Sequence, residues 1–386
     1  KIAESLLLPT IAISGLFWLL IFWNETAVKI IGEGSIGMAV LISGVVLTLL
    51  LFPPAYVYGL KMHREKISNK QLVFNIVTLT IAVAIMVAMV TVLGVALMNN
   101  AFKGLELDKY TSAAIVGLYS GVLVYALVPS AIEMNTTRVV RVFSVVMVCG
   151  VMLSMLTAGN PLWWQENFSS LASETGISAI AFNFTLILSG FILIVLSSHL
   201  LDDLKRIKSP AGQHPNIRLL KILFIFIGLC MAGVGFFPYA EAPLMHNFSA
   251  YAMVLGFGVM IVGLKKILPF IDAAFLTNSF FILGLIAVCY LLFTRVEYLN
   301  LTAFEMIAFG TTFAWLLMFT RKISSLTRVQ NVNSYNICDR LWNIDRCNYI
   351  KLDSRQAWFN RLVSVYPKTG WHDCCILCMA FCGLSI

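Results

Sequence analysis

Five side chains carry most of the chemistry that this sequence could perform: Trp164, Asn183, His246, Asn247 and Glu305. Four of them fall at or near the start of a long apolar run, and Trp164 lies in a connection between two such runs. A carboxylate set a turn into a membrane helix must be paired, reached by water or protonated. Glu305 is such a carboxylate, and Thr302 and Thr312 share its helical face at spacings of three and seven residues. His246 and Asn247 lie where the segment YAEAPLMHNFSA enters an apolar run, and Asn183 lies about two turns into another. The connection 159–176 adds Trp163, Trp164, Glu166 and Asn167. An imidazole and a carboxylate at one membrane face could bind a polar head group. They could also exchange protons as an acid–base pair.

The elements that must position these residues are transmembrane helices. The chain has 386 residues, of which 59% are hydrophobic and 12% charged, with a mean hydropathy of +0.87. So little charge over this length excludes a soluble domain. A helix needs roughly 20 apolar residues to cross about 30 Å of hydrocarbon. Ten runs qualify, at about 5–23, 36–60, 71–98, 111–132, 142–158, 177–199, 219–237, 248–264, 271–293 and 302–320. They are continuous rather than alternating with period two, which argues against a β-barrel. The expected fold is all-α, a polytopic bundle of about ten spans. Three regions are expected: a four-span region at 1–141, a six-span region at 142–323, and a Cys-rich tail at 324–386.

Charge between the runs gives the orientation. Lys1 and every second connection hold 17 Lys and Arg, and the remaining five connections hold only Lys29, Lys103, Lys109 and Arg295. Short loops rich in Lys and Arg stay in the cytoplasm. Both ends of the helical body are therefore expected inside, and the five candidate residues at the outer face of a cell membrane. The net charge of +8 follows the apolar runs. That placement suits anionic membrane lipid and not nucleic acid.

Other polar or special residues have structural readings. His199 with Asp202 and Asp203 reads as a solvated helix end, Asp272 as an interfacial pair, and Asn278 as a bond to another helix. Pro53, Pro54 and Pro129 are expected to kink or end their helices. Gly228 and Ala232, and Gly256 and Gly263, read as close-packing positions. No Walker A, HExxH or GxSxG sequence occurs, and the ligand sets for a metal or another cofactor are missing.

Six of the nine cysteines lie beyond residue 328, with Cys375 and Cys378 in C-x2-C spacing after His372 and Asp373. Half of a zinc site or a redox pair would look this way, and so would a C-terminus that is not the natural one. The chain begins with Lys, so its true start is expected upstream.

The strings WWQENFSSLASE at 163–174, FNFTLILSG at 182–190, FFPYAEAPLMHNFSA at 236–250 and LTAFEMIAFGTTFAWLLMFTRKI at 301–323 occur in that order. As an ordered set they resemble the bacterial membrane-protein family called domain of unknown function 998, distantly similar to FRAG/DRAM-type membrane proteins. The resemblance covers about 142–323. It falls on Trp164, Phe168, Ser169, Asn183, Pro238, His246, Asn247 and Glu305. The first four spans resemble N-terminal extensions of some Gram-positive members, and some members carry a permease label. The tail does not resemble the family.

The leading expectation is a non-enzymatic protein that binds or moves a small amphiphile or lipid through Asn183, His246, Asn247, Glu305 and Trp164. One rival is a permease subunit that docks a separate ATPase on the basic loop 200–221. Another is an enzyme on a lipid-linked substrate, with His246 and Glu305 as acid and base and Ser169 or Ser249 as the available nucleophiles.

Overall fold

A computed structural model describes residues 2–63, 68–173, 176–207 and 214–348, without the side chains of 206 and 327–348. The described residues up to Thr327 form one compact unit, and those from Arg328 on belong to a second. Ten helices among the described residues are long and apolar enough to cross a membrane. They are α1 (Ile2–Ile21), α2 (Ile36–Met62), α3 (Asn69–Ala101), α4 (Lys109–Ile132), α5 (Thr136–Leu156), α6 (Ile177–Arg206), α7 (Ile217–Phe236), α8 (Pro243–Ile267), α9 (Ala273–Thr294) and α10 (Leu301–Asn348). The only strands among the described residues are β1 (Val28–Lys29) and β2 (Glu106–Leu107), paired antiparallel. Hydrocarbon offers no partner to a backbone N–H or C=O, so spanning segments close their bonds within themselves.

Polar caps set the helix ends beyond the apolar runs. Asn135 Oδ1 accepts from Arg138 N, and α5 starts six residues before its apolar run. Pro243 opens α8 five residues early, where its missing N–H costs nothing. The two runs that look shortest in sequence therefore become helices of 21 and 25 residues. Asp108 caps α4, and its carboxyl is held below the usual range by the hydroxyl and amide of Thr111. The prolines do not end their helices: α2 runs through Pro53 and Pro54 to Met62, and Pro129 sits in the last turn of α4.

Close contacts fix the helix pairs. α6 and α7 cross backbone to backbone at Gly190 and Gly228, where a Cβ on Gly190 would overlap the Gly228 carbonyl oxygen and crowd Ala232. Gly256 sits against Phe226 and Ile227 of α7, whereas Gly263 meets only its own helix. α1 lies on α4, with Gly15 against Gly117 and Ser14 Oγ 2.8 Å from Ser120 Oγ. Trp18 Nε1 donates to Ser43 Oγ of α2 at 2.7 Å. Trp315 of α10, fully buried, donates to Ser279 Oγ of α9 at 2.9 Å and stacks on Phe319. Asn278, expected to make such a bond, is exposed, and its neighbour Ser279 makes it instead.

Successive connections fall at opposite ends of the bundle. At one end, Lys109 Nζ donates to Trp23 O and Asn300 Nδ2 to Trp164 O. At the other, Asn216 N donates to Ile267 O, and Lys322 pairs with Asp272 at 3.0 Å. The second end carries the loops rich in Lys and Arg and is called the basic end below.

Candidate functional site

The connection between α5 and α6 returns into the end of the bundle opposite the basic end. Two 3-10 turns, Trp163–Gln165 and Phe168–Ala172, keep it short. Phe168 is its apolar plug. The ring packs edge-on against Phe182 at 5.1 Å and leans on Phe309 at 6.0 Å and Trp163 at 6.4 Å. Leu171 and Ala172 are buried behind it.

Backbone driven that deep must find partners. The turns supply several: Gln165 N donates to Leu162 O, Ser170 N to Asn167 O, and Ser173 N to Ser170 O. Side chains of the helices supply the rest. Glu305 Oε2 of α10 accepts from Phe168 N at 2.7 Å. Asn183 Nδ2 of α6 donates to Ala172 O at 2.9 Å. Asn300, which caps α10 with Oδ1, donates from Nδ2 to Trp164 O at 3.3 Å. Ser173 Oγ accepts from Ala240 N, which ties the segment to the α7–α8 connection.

His246, 3% exposed, is held from both sides. Its Nδ1 lies 2.9 Å from Phe237 O and its Nε2 3.1 Å from Ser169 Oγ. A carbonyl only accepts, so Nδ1 carries a hydrogen; in the neutral ring Nε2 is then free to accept from the Ser169 hydroxyl. Tyr239 packs edge-on against the imidazole at 5.7 Å.

Asn183, His246 and Glu305 thus converge, as their shared depth predicts, on one segment. What they meet is its backbone and the Ser169 hydroxyl. Trp164 takes part through its carbonyl, and its half-exposed ring makes no hydrogen bond among the described residues. Asn247 makes no side-chain hydrogen bond among the described residues. Glu305 and His246 are both committed to the segment and are not bonded to each other.

Outside this fastening lies a cavity of about 450 Å³ lined by Asn160, Glu166, Asn167, Ser170, Ser173 and Tyr239 with Ala240. Glu166 and Asn167 were legible as members of the loop. Asn160, Ser173, Tyr239 and Asn300 were not, although Asn300 stands where a helix-capping side chain is expected, just before an apolar run. Three buried acceptors around the segment have no partner among the described residues: Asn167 Oδ1, Asn183 Oδ1 and Thr302 Oγ1. Among the described residues no three His, Cys, Asp or Glu side chains gather to hold a metal. The Cys375/Cys378 pair and its neighbours His372 and Asp373 lie outside the described residues.

Ten apolar helices with a polar, loop-filled end define a multi-pass membrane protein. No family model, curated protein or solved structure matches the chain.

Proposed function

We propose that this protein binds or moves a small amphiphile or lipid at the outer face of a bacterial cytoplasmic membrane. One observation carries the reading: a polar cavity opens over a segment strapped between α6, α8 and α10, among helices whose sides are broadly apolar and exposed. A ligand that suits both surfaces has a polar head and an apolar tail. The lining offers the carboxylate of Glu166, two asparagines and two serines, and no Lys or Arg among the described residues. A head that donates hydrogen bonds, such as an amine or a polyol, fits this lining better than a phosphate. Asn183, His246 and Glu305 act here by holding the segment in place. The resemblance to the domain of unknown function 998 family belongs to the same proposal.

The test uses the full chain in lipid nanodiscs and native mass spectrometry with octylammonium, octyl glucoside and octyl phosphate. Saturable retention of either donor-bearing probe, lost in Glu166→Gln, is the expected result. Equal retention of all three by wild type and variant removes the cavity as the site.

One contact favours a second reading, that of an enzyme cleaving a lipid ester. Ser169 Oγ and His246 Nε2 stand 3.1 Å apart, and the Phe237 carbonyl orients the ring. This is the spacing of a nucleophile and its base. Release of alcohol from a short-chain ester, abolished by Ser169→Ala, would support it. An equal rate in Ser169→Ala excludes it.

A further inference from the structure

A second polar group lies at the other end of the bundle and plays no part in the cavity. Tyr56 of α2, Asn75 of α3 and His199 of α6 are 1%, 1% and 7% exposed. His199 does not end its helix in solvent, as its position in sequence suggests; α6 continues seven residues further, to Arg206. At 1.5 Å per residue that sets the imidazole about 10 Å inside the helix end. Asn75 Nδ2 lies 3.5 Å from Tyr56 Oη, and Tyr56 Oη lies 3.5 Å from His199 Nε2. Asn75 Oδ1 is buried with no partner among the described residues. An ionisable side chain inside a membrane bundle is costly to keep there, and such groups mark ion and proton sites. A buried acceptor left unpaired adds to that cost.

We propose that Tyr56, Asn75 and His199 form an intramembrane proton-binding site, filled from the basic end, with His199 holding the proton. The geometry supports two directions of hydrogen bonding along one row of atoms. In the first, Asn75 Nδ2–H donates to Tyr56 Oη, and the Tyr56 hydroxyl donates to the bare Nε2 of a neutral His199. When a proton arrives on Nε2, that nitrogen becomes the donor. Tyr56 Oη then accepts from the ring and turns its own hydrogen toward Asn75. Rotation of the amide by half a turn presents Oδ1 to receive it. The proton stays on the imidazole, no covalent bond breaks, and departure of the proton reverses the row.

Charges of both signs stand at the basic end, the carboxylates on α6 itself. Asp202 lies one turn beyond His199 on α6. It pairs with Lys205 at the surface, at 3.0 Å. Asp203 follows it on α6. The helices packed on α6 carry only cations at that end: Lys70 on α3, Arg138 and Arg141 on α5, and Arg218 and Lys221 on α7. Tyr56 is the titratable group on α2 that faces the ring.

The test is a pH titration of imidazole nitrogen shifts, using the full chain labelled with 15N-histidine in nanodiscs. His199→Gln identifies the His199 signal. The expected result is a signal that titrates between about pH 4 and 9, with a midpoint displaced by about half a unit or more in Tyr56→Phe and in Asn75→Leu. Tyr56→Phe removes a single oxygen, so it keeps the test usable where Asn75→Leu fails to fold. A His199 signal that does not move over that range overturns the proposal. So does one that titrates identically in wild type and Tyr56→Phe, since His199 would then act alone.

Discussion

At the scale of single residues, the polar side chains of this protein mostly serve backbone. Glu305 illustrates it: its depth in an apolar run marks it as unusual in the sequence, and the structure gives it the Phe168 amide. Glu305→Leu leaves that amide buried without an acceptor. The expected cost is about 1–3 kcal/mol, localised to the segment, because a buried donor without an acceptor loses its solvation. Hydrogen exchange at 163–173 should quicken, while exchange in α2 and α3 stays as in wild type. Equal protection of the segment in wild type and variant would show that Phe168 alone anchors it. Asn183, His246 and Glu305 were legible because polar atoms in hydrocarbon stand out. Their partners were not, since a backbone amide or carbonyl has no signature in sequence. Tyr56 and Asn75 were missed for a related reason: each is a common residue in an ordinary helix, and only the approach of α6 makes them a group.

At the scale of elements, helix existence was legible throughout, and helix ends were not. Hydropathy sees the apolar middle of α5 and α8, while their first turns are made by Asn135 and Pro243. The same limit hid α10, whose backbone continues to Asn348 well past the apolar run. The packing role of Gly228 and Ala232 was legible from small-residue spacing, but Gly190 opposite them was not. Gly190→Leu should force α6 and α7 apart and destabilise the bundle by about 1–3 kcal/mol or more, as overpacking does. Gly258→Ala, where nothing lies within 4 Å of the added methyl, should leave stability unchanged. Thermal unfolding in one detergent compares the two; equal midpoints for both variants would refute the close crossing.

At the scale of the whole molecule, alternation of charge in the sequence matches alternation of connections between two ends in the structure. Which end faces the cytoplasm is a prediction from charge. Cysteines replacing Lys103 and Asn160, in a chain otherwise without cysteine, should react with an impermeant maleimide on intact cells. Those replacing Arg141 and Lys265 should react only after permeabilisation. Labelling of all four from outside would contradict the orientation. Helix adjacency was the part the sequence could not show, because any apolar helix can face any other. The seat of α1 is the clearest case. Ser14 meets Ser120 across 106 residues of chain, and β1 can pair with β2 only once the connection after the third helix is made. At ordinary rates of translation those residues take about 5 to 20 seconds to make. α1 thus waits in the bilayer, its serine without the partner it later meets and its glycine face open, until three more helices have followed. Biogenesis of this protein therefore includes a stage in which α1 is inserted but unassembled, and the insertion machinery must shelter it for that interval.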